Sequence, residues 1–245
     1  MRQRIPTAAA TAALAAATAV VIGIFGTAAP LRAQGDNPCA GLPTYADLKQ
    51  KLYDATFNTT YTGSNRGFGN NMWGTIVNRD GIVCAVAFTG SDRGAQWPGS
   101  RVISAQKAST ANSFTLNNLA LSTASLYPLV QPGASLFGLQ ESNPVATDVA
   151  YKGPSTAYGQ PNDPMVRNKI GGVNVFGGGL GLYAAGSTVI GGLGVSGDTS
   201  CADHNIAWRL RQLLDLNHTP VAGFDNISYP AHPFCLGGET PPAGQ

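Results

Sequence analysis

Apolar positions change their period several times along this chain, and each change marks an element. After Thr44 and Asp47, which have the spacing of a capping box, Leu48, Leu52 and Ala55 recur at helical intervals. Residues 73–77 and 82–88 are instead two apolar runs, joined by Asn78-Arg79-Asp80-Gly81, and the Asp-Gly step is a strong hairpin signal. From Ser100 to about Phe114 the helical period returns. There Val102, Ile103, Ala105, Ala108 and Ala111 are small or apolar enough to lie flat on a sheet.

The densest pattern follows at 171–197, where eleven of 27 residues are glycine but Val, Leu, Ile, Tyr and Phe keep recurring between them. A linker would not carry that apolar content, so the stretch reads as ordered sheet. Residues 173–176 and 181–184 are strand-like, Ala185-Gly186-Ser187 supplies a turn, and 188–195 resumes a β-branched run. Glycine inside a strand implies close approach of backbone to another strand, another subunit or a flat ligand. Ser200 and Asp203 again have capping-box spacing, and Ile206, Leu210, Leu213 and Leu214 continue a helix over 199–214. A strand thus delivers Ser196, Gly197 and Asp198 to the mouth of a helix.

The order helix, hairpin, helix, loop, hairpin, helix predicts an α+β domain with a single antiparallel sheet flanked by helices. Residues 142–168 have little periodicity and several Gly, Pro and Asn residues, which makes them an excursion loop. A Pro- and Gly-rich tail begins at about 217.

Ahead of this domain, Arg2 and Arg4 precede an uncharged run rich in alanine and valine, and Leu31-Arg32-Ala33 is a possible cleavage site. Residues 1–33 therefore read as a secretory signal peptide, leaving a mature chain over 34–245 with no membrane span. The leader holds three basic residues and no acidic ones, so the overall charge of +2 becomes twelve basic against thirteen acidic residues without it. No basic stripe interleaved with aromatics is present, so nucleic-acid binding has no electrostatic footprint. Four cysteines, Cys39, Cys84, Cys201 and Cys235, suit two disulfides in an exported protein. Three pairings are possible. Pairing of Cys39 with Cys235, at the two edges of the domain, is the expectation.

Candidate chemistry is sparse. His204 is the best of the three histidines as a ligand, because it falls in the first turn of the last helix, where the dipole favours neutral imidazole, and beside Asp203. His218 and His232 read as surface residues. Arg93, Trp97, Arg101 and Lys107 form a second constellation, in which arginines could clamp carboxylates and Trp97 supply an aromatic wall. Lys107 shares a helical stripe with Ile103 and Ala111, so it either snorkels or has a function. The glycine-rich 191–197 segment lacks a Walker lysine, and Ser196 lacks the nucleophile-elbow context.

Residues 73–114, with the helical Lys107-Ala108-Ser109-Thr110-Ala111, resemble the strand-turn-strand-helix signature of the GlcG/HbpS family of haem-binding proteins. The similarity resumes at Phe176-Gly177-Gly178-Gly179, at 192–197 and at Asp203. It leaves 142–170 and the tail as additions. The resemblance implies an α/β sandwich that forms homo-oligomers and, in exported members, binds haem; His204, from its place in the last helix, is the residue expected on the iron.

Three readings follow. The first is an exported, periplasmic or secreted, haem-binding or haem-sensing protein. The second is a lyase or isomerase of a small carboxylate, using Arg93 or Arg101 as clamp and Lys107, Asp203 or His204 as acid-base groups. The third is a ligand-free structural oligomer.

Overall fold

A computed structural model describes residues 37–58, 60, 65, 67–220, 225–227, 239, 240 and 242. The expected leader, His232 and Cys235 lie outside these residues. Three principal helices are described, α1 (Tyr45–Phe57), α2 (Ser100–Phe114) and α3 (Ser200–Leu213), together with strands β1 (Trp73–Asn78), β2 (Val83–Phe88), β3 (Gly179–Ala184) and β4 (Thr188–Ser196). The strands form one antiparallel sheet in the order β2-β1-β4-β3. This is the α+β architecture read from the pattern of apolar residues.

The capping box at the start of α1 is present, with Asp47 N–H donating to Thr44 Oγ1 at 3.2 Å and Thr44 N–H to Asp47 Oδ2 at 3.1 Å. One face of the sheet carries α1 and α3. Leu48 and Leu52 from α1, Ile206 and Leu210 from α3, and Ile76, Leu182, Leu193 and Val195 from the strands share one buried cluster. Each such side chain taken from water contributes about 1.5–3 kcal/mol before the entropy of ordering is subtracted.

The opposite face carries α2, and the glycines of β3 and β4 explain how. Alternation along β4 points Leu193 and Val195 to the α1/α3 side and leaves Gly192 and Gly194 facing α2. A Cβ on Gly192 would fall on the carbonyl of Ala108 and one on Gly194 on that of Ser104, while one on Gly179 would come within 2.7 Å of the Lys107 carbonyl. The close approach foreseen for these glycines is therefore made by a helix of the same chain. Thr75 and Ser104 hydroxyls, 2.8 Å apart, tie the centre of the sheet to α2.

Three expectations are corrected. Residues 173–176 are not a strand. Gly171 (φ 61°), Gly172 (φ 81°) and Gly178 (φ 109°) turn the backbone away from an extended path. The amides between them are satisfied by side chains, Asn174 N–H by Thr110 Oγ1 at 3.0 Å and Gly177 N–H by Ser200 Oγ at 2.6 Å. The cap of α3 is Thr199, whose hydroxyl accepts from Ala202 N–H at 3.1 Å, so Ser200 is the first helical residue. Finally, Cys39 pairs with Cys84, not with Cys235: the 37–43 segment lies against the β1–β2 hairpin, where Asn78 Nδ2 also donates to Pro38 O at 2.7 Å. Cys201 is likewise disulfide-bonded.

Beyond α2 the chain makes short helical turns at Thr123–Leu126 and Tyr127–Val130. A further turn at Leu139–Ser142 leads into the excursion, which holds the turns Thr147–Ala150 and Ser155–Ala157. Among the described residues no helix is long and apolar enough to cross a membrane.

Candidate functional site

Two buried ionisable residues meet where α2 crosses the β4–α3 junction. Lys107 projects from the sheet-facing side of α2, and its Nζ donates to Asp203 Oδ2 at 2.7 Å and to Val195 O at 3.0 Å. Asp203, in the first turn of α3, accepts on its other oxygen from Asp198 N–H at 2.9 Å. Both side chains are almost fully buried, at 1% and 3% exposure. The junction is held by Asp198, whose carboxylate accepts from the amides of Phe68 (2.8 Å), Asn70 (2.9 Å) and Thr199 (2.6 Å).

Burial works against both charges. It lowers the Lys107 pKa below the usual ammonium range, an effect that the Asp203 charge and hydrogen bond oppose. Burial also raises the Asp203 carboxyl to about 6, with Lys107 and the Asp198 amide pulling in the other direction. Burial thus brings the proton affinities of the two groups closer together, next to an opening.

That opening is a cavity of about 320 Å³ with Lys107 and Asp203 at its base. Trp97, Ile103 and Phe176 form apolar walls, and Ser196, Asp198 and Ser200 contribute polar edges. Trp97 and Phe176 are 49% and 41% exposed, and Phe68 meets the Trp97 ring edge-on at 5.9 Å between centroids. The walls suit a flat apolar molecule, and the base suits a group that takes or gives a proton.

Of the residues singled out in the sequence, the structure brings Trp97, Lys107 and Asp203 together here. Arg93 and Arg101 line a different cavity of about 400 Å³, with Asp92, Tyr151 and Tyr158. Arg101 is buried and engaged: Nε donates to Asp163 Oδ2 at 2.9 Å, a second nitrogen pairs with Asp163 Oδ1, a third donates to Ala150 O at 2.7 Å, and the Tyr158 ring lies 3.6 Å from Cζ. It pins the excursion to α2 and presents no free fork to a carboxylate at Lys107. Arg93 is exposed.

His204 is fully buried, with its ring 6.3 Å from that of Trp208, one helical turn on. Being adjacent to Asp203, it points about 100° away around the helix, and it does not line the Lys107 cavity. His218 is 41% exposed and lies 3.4 Å from Asp215.

Haem is the group that the resemblance implies. The apolar walls suit a flat ring, but haem iron is ordinarily held by His, Cys, Met or Tyr, and none of these types is among the described residues that line this cavity.

Reading the sequence missed Ile103, Phe176, Ser200 and Asp198 as cavity residues, and Asp163 as the partner of Arg101. For Phe176 and the Ser196–Asp198 corner, the glycine punctuation and the strand-to-helix step were the available signals. Asp163 carries none, since its partner is 62 residues away.

The fold was compared with solved structures. The crystal structure of a PduOC:haem complex aligns at TM-score 0.48 and 22% identity, covering 72% of this chain and 98% of the other. The Klebsiella pneumoniae protein ORFY aligns at 0.45 and 24%, covering 70% and 90%. The crystal structure of HbpS aligns at 0.42 and 17%, covering 70% and 89%. A comparison with curated proteins gives no match. Residues 64–210, more than half of the chain, match the family model described as haem degrading protein HbpS-like, and the chain therefore belongs to the HbpS-like family.

Proposed function

We propose that this protein is an exported haem-binding member of the HbpS-like family, and that the macrocycle occupies the cavity above Lys107 and Asp203. The observation that carries the proposal is the aromatic-walled opening formed by Trp97, Ile103 and Phe176 within the segment that matches the family. Trp97 and Phe176 would flank the ring, and Ser196 and Ser200 offer hydroxyls to its polar edge. When bound, haem would supply an iron centre for handling or sensing. Residues of this chain would contribute shape and exclusion of water.

Export is part of the same reading. Disulfides at Cys39–Cys84 and at Cys201 support an oxidising compartment, in line with the leader read at residues 1–33. So is a homo-oligomer: Phe68 is 61% exposed beside Trp97, an apolar rim that a second copy could cover.

Because the walls are aromatic and no usual iron ligand is among the described residues that line the cavity, the test is a parallel titration with haem and with iron-free protoporphyrin IX. Saturable binding of both, followed in the Soret region and weakened together by Trp97→Ala and Phe176→Ala, is the expected result. His204→Ala should leave both titrations unchanged. A protein that alters neither spectrum overturns the proposal.

A further inference from the structure

We infer that the same cavity captures aldehydes or ketones with an apolar body by forming an imine at Lys107. This goes beyond haem binding and does not depend on it. The chain has five lysines. Lys49 and Lys51 donate to the carbonyls of Phe88 and Leu213, and Lys152 and Lys169 stand in solvent. Lys107 alone among them lines an apolar-walled opening with a carboxylate at hydrogen-bond distance.

That geometry contains what imine formation needs. An ammonium must lose a proton before it can attack, and Asp203 Oδ2 lies on the donor line at 2.7 Å to receive it. The freed lone pair of Nζ forms a bond to the carbonyl carbon as the C=O π pair moves onto oxygen, and one proton passes from the attacking nitrogen to that oxygen to give a carbinolamine. Loss of water with a second proton leaves the imine, so amine plus carbonyl becomes imine plus water with no change in oxidation state. Asp203 can return the first proton to the departing oxygen. Burial shifts Lys107 toward the neutral amine relative to an exposed lysine, against the pull of Asp203. The substrate class follows from the lining: Trp97 and Phe176 suit a flat or branched apolar body, and no arginine is among the described residues that line the cavity.

The full chain without haem is treated with benzaldehyde and sodium cyanoborohydride at neutral pH, and the adducts are mapped by peptide mass spectrometry. Exposure alone would place label on Lys152 and Lys169. The inference expects Lys107 to carry more label than either exposed lysine, because it alone pairs an apolar-walled opening with a carboxylate at hydrogen-bond distance. Label on Lys152 or Lys169 equal to or above that on Lys107 overturns it, and since mapping is done on the unsubstituted protein, the folding of a variant does not enter. Haem binding without a Lys107 adduct removes this inference and leaves the proposed function; an adduct without haem binding does the reverse.

Discussion

Lys107 and Asp203 stand 96 residues apart in sequence and 2.7 Å apart in space. Each sits on a helix from a different side of the sheet, and the two meet only because α2 and α3 both reach the end of β4. A charge pair without water is sensitive to the loss of either member, because the survivor is left buried alone.

Replacing Lys107 by Met should raise the Asp203 pKa above about 6, since the Lys107 charge and hydrogen bond are the main influences lowering it. A carboxyl-detected NMR titration reads this directly. A midpoint unchanged by the substitution would show that the pair is not formed.

The sign of the pH dependence follows from the same residue. The folded Asp203 pKa lies above the ordinary aspartate value of about 3.9, so its contribution to stability is fully present below about pH 4 and is lost as the pH rises through about 6. Chemical denaturation at pH 4 and pH 7 should therefore show the wild type losing more stability than Asp203→Asn across that interval. Parallel curves for the two proteins would contradict the assignment.

Gly194→Ala should cost about 3 kcal/mol or more, because the new methyl falls on the Ser104 carbonyl and helix backbone cannot move aside like a side chain. Gly99→Ala is the control. The nearest atom to its Cβ is 4.0 Å away, and urea denaturation should place it within about 0.5 kcal/mol of wild type.

Asp163→Ala strands the buried Arg101 guanidinium and should destabilise the protein by about 3–5 kcal/mol. Hydrogen exchange should also show the 142–168 excursion opening more often than the sheet, since Arg101 ties it to α2 through Asp163 and the Ala150 carbonyl. Uniform loss of protection across the whole chain would argue against that local role.

Removing the Cys39–Cys84 bridge by Cys84→Ser should cost about 4 kcal/mol in the chain-entropy account, given a separation of 45 residues. Cys39→Ser should give the same loss, and the double substitution no more than either. A larger effect in the double variant would mean that the two cysteines act separately.

What was legible in the sequence was local. The Thr44/Asp47 box, the Asp-Gly hairpin and the bounds Ser100–Phe114 are set by residues within a few positions of one another, and all are present as read. The stretch 173–176 misled because its apolar alternation is that of a strand, while its flanking glycines and the hydroxyls of Thr110 and Ser200, from other elements, decide its path. The pairing of Cys39 with Cys84 depends on how the 37–43 segment folds back, which no local signal encodes. At the site, spacing marked Lys107 as unusual on its stripe, but grouping it with Arg101 failed. Six residues along a helix turn the side chain by about 600°, or 120° short of two full turns, and so onto another face.

The bare strip formed by Gly179, Gly192 and Gly194 has a consequence for how this protein can change. Main chain rests on main chain there, so the height of Lys107 above the sheet is set by atoms that every sequence shares, and mutation has little purchase on it. Trp97 and Phe176 lie outside α2 and outside the strands. Descendants of this chain could resculpt the mouth for a different guest while the amine beneath it stays where it is.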